Sequence, residues 1–188
     1  MATCQLTSGL ALPCKNFMPG IRRIFIGNFF SGSSNTTENL TYTTDATNVI
    51  TGATISTGKF YTFDLTKESG DIQDAIHANP TNGTTSYEST ITVYLSQYST
   101  AVRNQMVLLA KGKLLVIAED RNGQYWLFGT DGTGTVPSSS NGVDMMDSTA
   151  TMGKAYGADP NGYTLVFNAI ERVPALEVSA TVIPSITA

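Results

Sequence analysis

Charge is scarce in this sequence. Asp, Glu, Lys and Arg make up 14% of its 188 residues, and 15 acids against 11 bases leave a net charge of −4. That balance supplies no basic patch to neutralise a run of phosphates, which argues against a sequence-specific nucleic-acid binder. Long apolar runs are missing too: no stretch approaches the roughly 20 residues that a membrane-spanning helix needs. The opening "MATCQLTSGLALPCK" has no basic n-region, and its apolar run is too short for a secretory signal. The sequons at Asn35, Asn39 and Asn82 are therefore expected to mark exposed polar loops rather than glycans.

Reactive side chains are equally few. The chain has two cysteines, Cys4 and Cys14, one histidine, His77, and one tryptophan, Trp126. The cysteines are close enough that a disulfide would close only a small loop, and two free thiols in a reducing cytoplasm are expected. Zinc needs further ligands, and His77 lies far along the chain, so no metal is expected. With one histidine and no Gly-x-Ser-x-Gly turn, nucleophilic catalysis has no evident base. Gly129, Gly132 and Gly134 have the wrong spacing for a phosphate loop, and no Lys-Ser/Thr follows. Asp159-Pro-Asn-Gly starts like a calcium loop but lacks the closing carboxylate, and a tight turn explains it better. The pairs Asp71/Asp74 and Asp144/Asp147 could share acid–base work only if burial raised one pKa. No catalytic, cofactor-binding or metal residue is assigned, and no enzyme is expected.

What the sequence does have is Thr, Ser, Asn and Gly between short apolar segments, a β-rich texture. Residues 1–20 carry Pro13, Pro19 and Gly20 and no clear period: an N-terminal arm. "IRRIFIGNFF" (21–30) is expected to be a strand, followed by the polar excursion "SGSSNTTENLTYTTDATN" (31–48), which offers almost nothing to a core. "VITGATIS" and "GKFYTFDLT" then form a bent or interrupted strand, with Tyr61, Phe63 and Leu65 on one face and bends at Gly52 and Gly58. Asp71–His77 suggests a short helical turn ended before Pro80. "SYESTITVYLSQY" alternates with Ile91, Val93 and Leu95 inward. "STAVRNQMVLLAKG" has a cap at Ser99 or Thr100, a stripe of Val102, Met106 and Leu109, and Gly112 for a left-handed exit, which predicts one helix lying across a sheet.

In "KLLVIAEDRNGQYWLFG" Asn122-Gly123 predicts a hairpin closed by a type I′ turn. Leu114–Ala118 is apolar throughout, so both of its faces should be covered, one by the helix and the other by a second sheet or a neighbouring subunit. Residues 130–142 look like a second long polar loop. "STATMGKAY" and "YTLVFNAIE" should be strands around a "GADPNG" turn, and "ALEVSATVI" a last strand or arm before a loose end. The expected architecture is a mainly β sandwich or barrel flanked by one α-helix: arm 1–20, β domain 21–180 and tail 181–188.

This order of elements, with the ending "STATMGKAYGADPNGYTLVFNAIERVPALEV", resembles the tail tube proteins of tailed bacteriophages over about residues 20–180. The resemblance lies in element order and texture. It implies a virion structural protein, made in the host cytoplasm, whose hexameric rings stack into a tube that passes DNA non-specifically. It further implies contacts with sheath, terminator, baseplate or tape-measure proteins and none with a membrane. Residues 31–48 hold the place of an excursion that reaches neighbouring subunits, and carboxylates facing the conduit would repel phosphates. The leader with Cys4 and Cys14 and the ending "SATVIPSITA" have no counterpart in that pattern and leave open a neck or tail-completion ring of the same fold. Two other classes were weighed: a carbohydrate-binding adhesion sandwich stacking sugars on Tyr125 and Trp126, and a glycan or cell-wall enzyme using Asp144 and Asp147.

Overall fold

The computed structural model of the chain describes residues 9, 17–32, 39–136, 140–154 and 161–188. The strands are β1 Ile21–Asn28, β2 Leu40–Thr44, β3 Ile50–Ile55, β4 Tyr61–Asp64, β5 Gly70–Asn79, β6 Thr84–Leu95, β7 Leu114–Asp120, β8 Tyr125–Phe128, β9 Thr135–Val136, β10 Val143–Met145, β11 Thr149–Thr151, β12 Gly162–Glu171 and β13 Leu176–Val178. Two helices, α1 Thr100–Leu109 and the four-residue α2 Ile183–Ile186, join them. The fold is mainly β with one helix of substance, as the composition and patterning indicate.

All these strands belong to one continuous, strongly folded sheet whose main path runs β5-β6-β12-β10-β7-β8-β13-β3-β2-β9, with β1 joining β4 to β7. The wall β1-β7-β8 divides the interior into two cores. Alternation along β7 sends Leu114, Val116 and Ala118 into the first, where β6, β12 and α1 supply Ile91, Val93, Leu165, Phe167, Met106 and Leu109. Leu115 and Ile117 enter the second, among Phe25, Leu40, Tyr42, Ile50, Phe60, Val178 and Ile183. Both faces of the apolar run 114–118 are thus covered by the protein's own chain. Ser99 caps α1, its Oγ accepting from Val102 N–H at 3.3 Å.

Several segments differ from the sequence expectation. Residues 39–48 are not an excursion: Leu40 and Tyr42, 2% and 4% exposed, alternate into the second core from β2, which pairs along β3. Tyr42 OH also hydrogen-bonds Thr130 Oγ1 at 2.5 Å. Residues 33–38 lie outside the described residues, as do Cys4, Cys14 and the expected turn at Asp159-Pro160. The "bent strand" is two strands in different company, β3 beside β2 and β13, and β4 beside β1. Asp71–His77 is not helical but lies within β5, which pairs residue for residue with β6. The 130–142 stretch contains β9 and two buried polar residues, Thr130 and Asp131.

At the other end, 182–188 is docked rather than loose. Val182, Ile183 and Ile186 are buried in the second core, Phe60 N–H donates to Ile186 C=O at 2.9 Å, and Ala188 N–H donates to Phe60 C=O at 2.9 Å. The β7–β8 hairpin is present, but its turn is not type I′. Only Gly123 has a positive φ (83°), and the loop Arg121-Asn122-Gly123 spans the closing bond from Asp120 N–H to Gln124 C=O at 2.9 Å. Gly112 is not left-handed; α1 ends through Ala110 in a right-handed turn.

Candidate functional site

The sequence-level acid–base candidates do not form a centre. Asp71, Asp74, Asp144 and Asp147 are all exposed, the first pair on β5 and the second at and after β10. His77 Nε2 lies 3.1 Å from Glu88 Oε2 on the neighbouring strand, both side chains well exposed. Hydrogen bonds from Asn168, and then from His77, hold Glu88 below the usual carboxylate range. Among the described residues no group of three or more His, Cys, Asp or Glu could hold a metal ion. No helix is long and apolar enough to cross a membrane. Trp126 is partly buried against the first core and lines an open cleft of about 600 Å3 with Pro19, Ile72, Asp71, Asp74 and Asp120. Asp120 is committed to its turn, its Oδ1 accepting from Asn122 and Gln124 N–H at 2.8 Å each.

Two buried carboxylates, unremarked in the sequence, serve the fold. Glu119 at the end of β7 is 2% exposed and accepts from Arg22 Nη1 at 3.2 Å and from Arg23 Nε. Glu171 at the end of β12 accepts from Asn141 and Gly142 N–H, both at 3.1 Å, pinning the chain just before β10. Burial raises its pKa to about 7, Asp131 adds to the rise, and the two N–H groups and Lys113 oppose it. Each sits among structural partners rather than in an open pocket.

The distinctive surface features are sheet margins. β5 ends the main sheet path, hydrogen-bonded to β6 on one side only. Tyr94 N–H donates to Ser69 C=O at 2.7 Å, which fixes the phase of this antiparallel ladder. The odd-numbered residues of β5 then face β6, and the N–H and C=O of Ile72, Asp74, Ile76 and Ala78 point away from the sheet. From Gln73 to Asn79 the strand is exposed on both faces, and Ile76 is 68% exposed. The hairpin tip also overhangs β12, whose pairing with β6 stops at Glu171↔Tyr87. Such an edge normally carries Lys, Pro or a bulge to prevent association; β5 has none within it.

A second margin lies along β4. It pairs only with β1, and Leu65 N–H donates to Arg22 C=O at 3.2 Å. By the same alternation Thr62 and Asp64 turn their backbone groups outward, as Phe60 does toward Ile186 and Ala188. Between this edge and α1 runs a groove of two adjoining hollows, about 370 and 420 Å3, that meet at Phe63 and Gln105. Leu108, 64% exposed, and Tyr61 form its rim.

No family model, curated protein or solved structure matches this chain.

What the surface offers is therefore backbone hydrogen bonding along two uncovered strands and exposed apolar side chains beside them. That is the equipment of strand addition between chains, not of substrate turnover. Sequence reading missed both margins because an edge is defined by which strands pair, and the one local signal was the absence of Lys and Pro within an Ile-bearing strand.

Proposed function

We propose that this chain is a virion structural protein that self-assembles into hexameric rings and that the rings stack into a DNA-conducting tail tube. The observation that carries the proposal is the β5 margin: seven residues exposed on both faces, an unpaired ladder and a projecting hairpin with an exposed isoleucine. A monomeric protein with such an edge is prone to associate, so selection would either block the edge or use it. The net charge of −4 also suits a conduit for DNA, because carboxylates repel phosphates and allow passage without adhesion. The excursion once expected to reach neighbours is largely spent on the protein's own second core. The docking role moves to the β5–β6 hairpin.

Purified protein examined by electron microscopy and light scattering tests the proposal. Rings that stack into hollow tubes are expected. Single rings that never stack favour a neck or tail-completion ring of the same fold, and a monomer at every concentration removes the self-assembly reading. The cleft where Trp126 meets Asp71 and Asp74 is the one feature favouring a carbohydrate-binding module instead. Glycan binding by a monomer, lost in Trp126→Ala, would establish that alternative.

A further inference from the structure

We infer that the subunits join head to tail by parallel strand addition, with β5 of one copy laid along β4 of the next and Ile76 seated beside Phe63 in the α1 groove. The inference rests on the self-assembly reading and specifies its contact.

The occupant and its direction follow from backbone phase. The free groups of β4 belong to Thr62 and Asp64, whose side chains point to the face opposite Phe63, while Phe63 packs toward the first core and α1. On β5 the free groups belong to the even residues, among them Ile76, which has no apolar neighbour of its own and is 68% exposed. In an antiparallel ladder Ile76 would pair with Thr62 or Asp64, and its side chain would share their solvent-facing side. In a parallel ladder a residue that turns its groups outward bonds to the two residues flanking its partner. Ile76 opposite Phe63 then donates its N–H to Thr62 C=O and accepts from Asp64 N–H. Its side chain falls on the Phe63 side, into the groove between β4 and Gln105, Leu108 and Leu109. Only the parallel arrangement satisfies both the hydrogen bonds and the apolar burial.

Charge supports a second copy as the occupant. The groove runs past Gly112 toward Lys111 and Lys113, which line an adjoining hollow, while the incoming strand carries Asp71 and Asp74. Donor and acceptor are different surfaces of one chain, so the contact is heterologous, and repetition closes a ring if the rotation allows or otherwise propagates a filament.

Two single-face variants test this. Ile76→Asp alters only the donor strand. Asp64→Pro removes the outward N–H of the acceptor edge at a position where proline is tolerated, and Leu108→Asp on the groove rim replaces it if the proline variant does not fold. Thermal melts verify the fold, and sedimentation reads the assembly. Under conditions where the wild-type chain forms rings or tubes, each variant alone should remain monomeric, and a 1:1 mixture of donor and acceptor variants should stop at a dimer, because one intact donor and one intact acceptor remain. Wild-type-like assembly of a folded variant, or a mixture that forms no dimer, overturns the inference while leaving self-assembly standing. A wild-type chain that never assembles overturns both.

Discussion

Glu171 links the fold to pH. Its pKa, raised to about 7 from the ordinary 4.5, means that the native chain holds this proton more tightly than the unfolded chain does. The resulting stability is fully present below about pH 4.5 and is lost as pH rises through 7. At roughly 1.4 kcal/mol per pH unit the gap bounds the effect at roughly 3 kcal/mol. Glu171→Gln keeps an acceptor for Asn141 and Gly142 and removes the titration. Melting curves at pH 5 and pH 8 should therefore converge in the variant and separate in the wild type, with the wild type less stable at pH 8. Glu119 shows a different asymmetry. Arg23→Ala leaves a buried carboxylate with Arg22 alone, whereas Glu119→Gln leaves two arginines that are 65% and 30% exposed and can hydrate. Denaturant titration should find the arginine deletion costlier, by about 2–4 kcal/mol against about 1–2, since an uncompensated buried charge is the larger penalty. Neither role could be read from sequence, because burial of Glu119 and Glu171 follows from strand pairing some 100 and 30 residues away.

Strands and helices whose signal is local were legible. β6 alternates Ile91, Val93 and Leu95 against threonines, and α1 sets Met106 and Leu109 one turn apart below a serine cap. Loss of that cap in Ser99→Ala should cost about 1 kcal/mol, measured by chemical denaturation. β5 was misread because Ile72 and Ile76 are four apart, a spacing that fits one face of a helix and one face of a strand alike. β2 was missed because Leu40 and Tyr42 sit alone among polar neighbours, and only β3 beside them makes the alternation meaningful. The local signal was Asp45-x-x-Asn48. Asp45 Oδ1 accepts from Thr47 and Val49 N–H, and Asn48 takes φ 64°, the same closure that Asp120 and Gly123 make between β7 and β8. These bonds hold Asp45 below its usual carboxylate range, the Thr47 hydroxyl first among them. The docked C-terminus was hidden by Pro184, which breaks a strand pattern but suits the first turn of α2. Truncation after Ser179 removes Val182, Ile183 and Ile186 from the second core. At roughly 1.5–3 kcal/mol for each buried side chain, the shortened chain should melt far lower or fail to fold.

Two cores built on one shared wall make a subunit complete in itself, yet its sheet stops at β5 and β4 without any blocking device at β5. The groove between β4 and α1 brings together residues 26–28, 61–66 and 94–114, so no single stretch of sequence announces it. Replacing the hairpin tip, residues 75–87, with a short turn should leave both cores and the melting temperature nearly unchanged while abolishing association, because those residues contribute to neither core. Sedimentation of the full chain over a hundredfold range of concentration tests self-assembly most directly. Conversion from a 20.0 kDa species to rings or longer polymers is the predicted result; a single 20.0 kDa species throughout would contradict it.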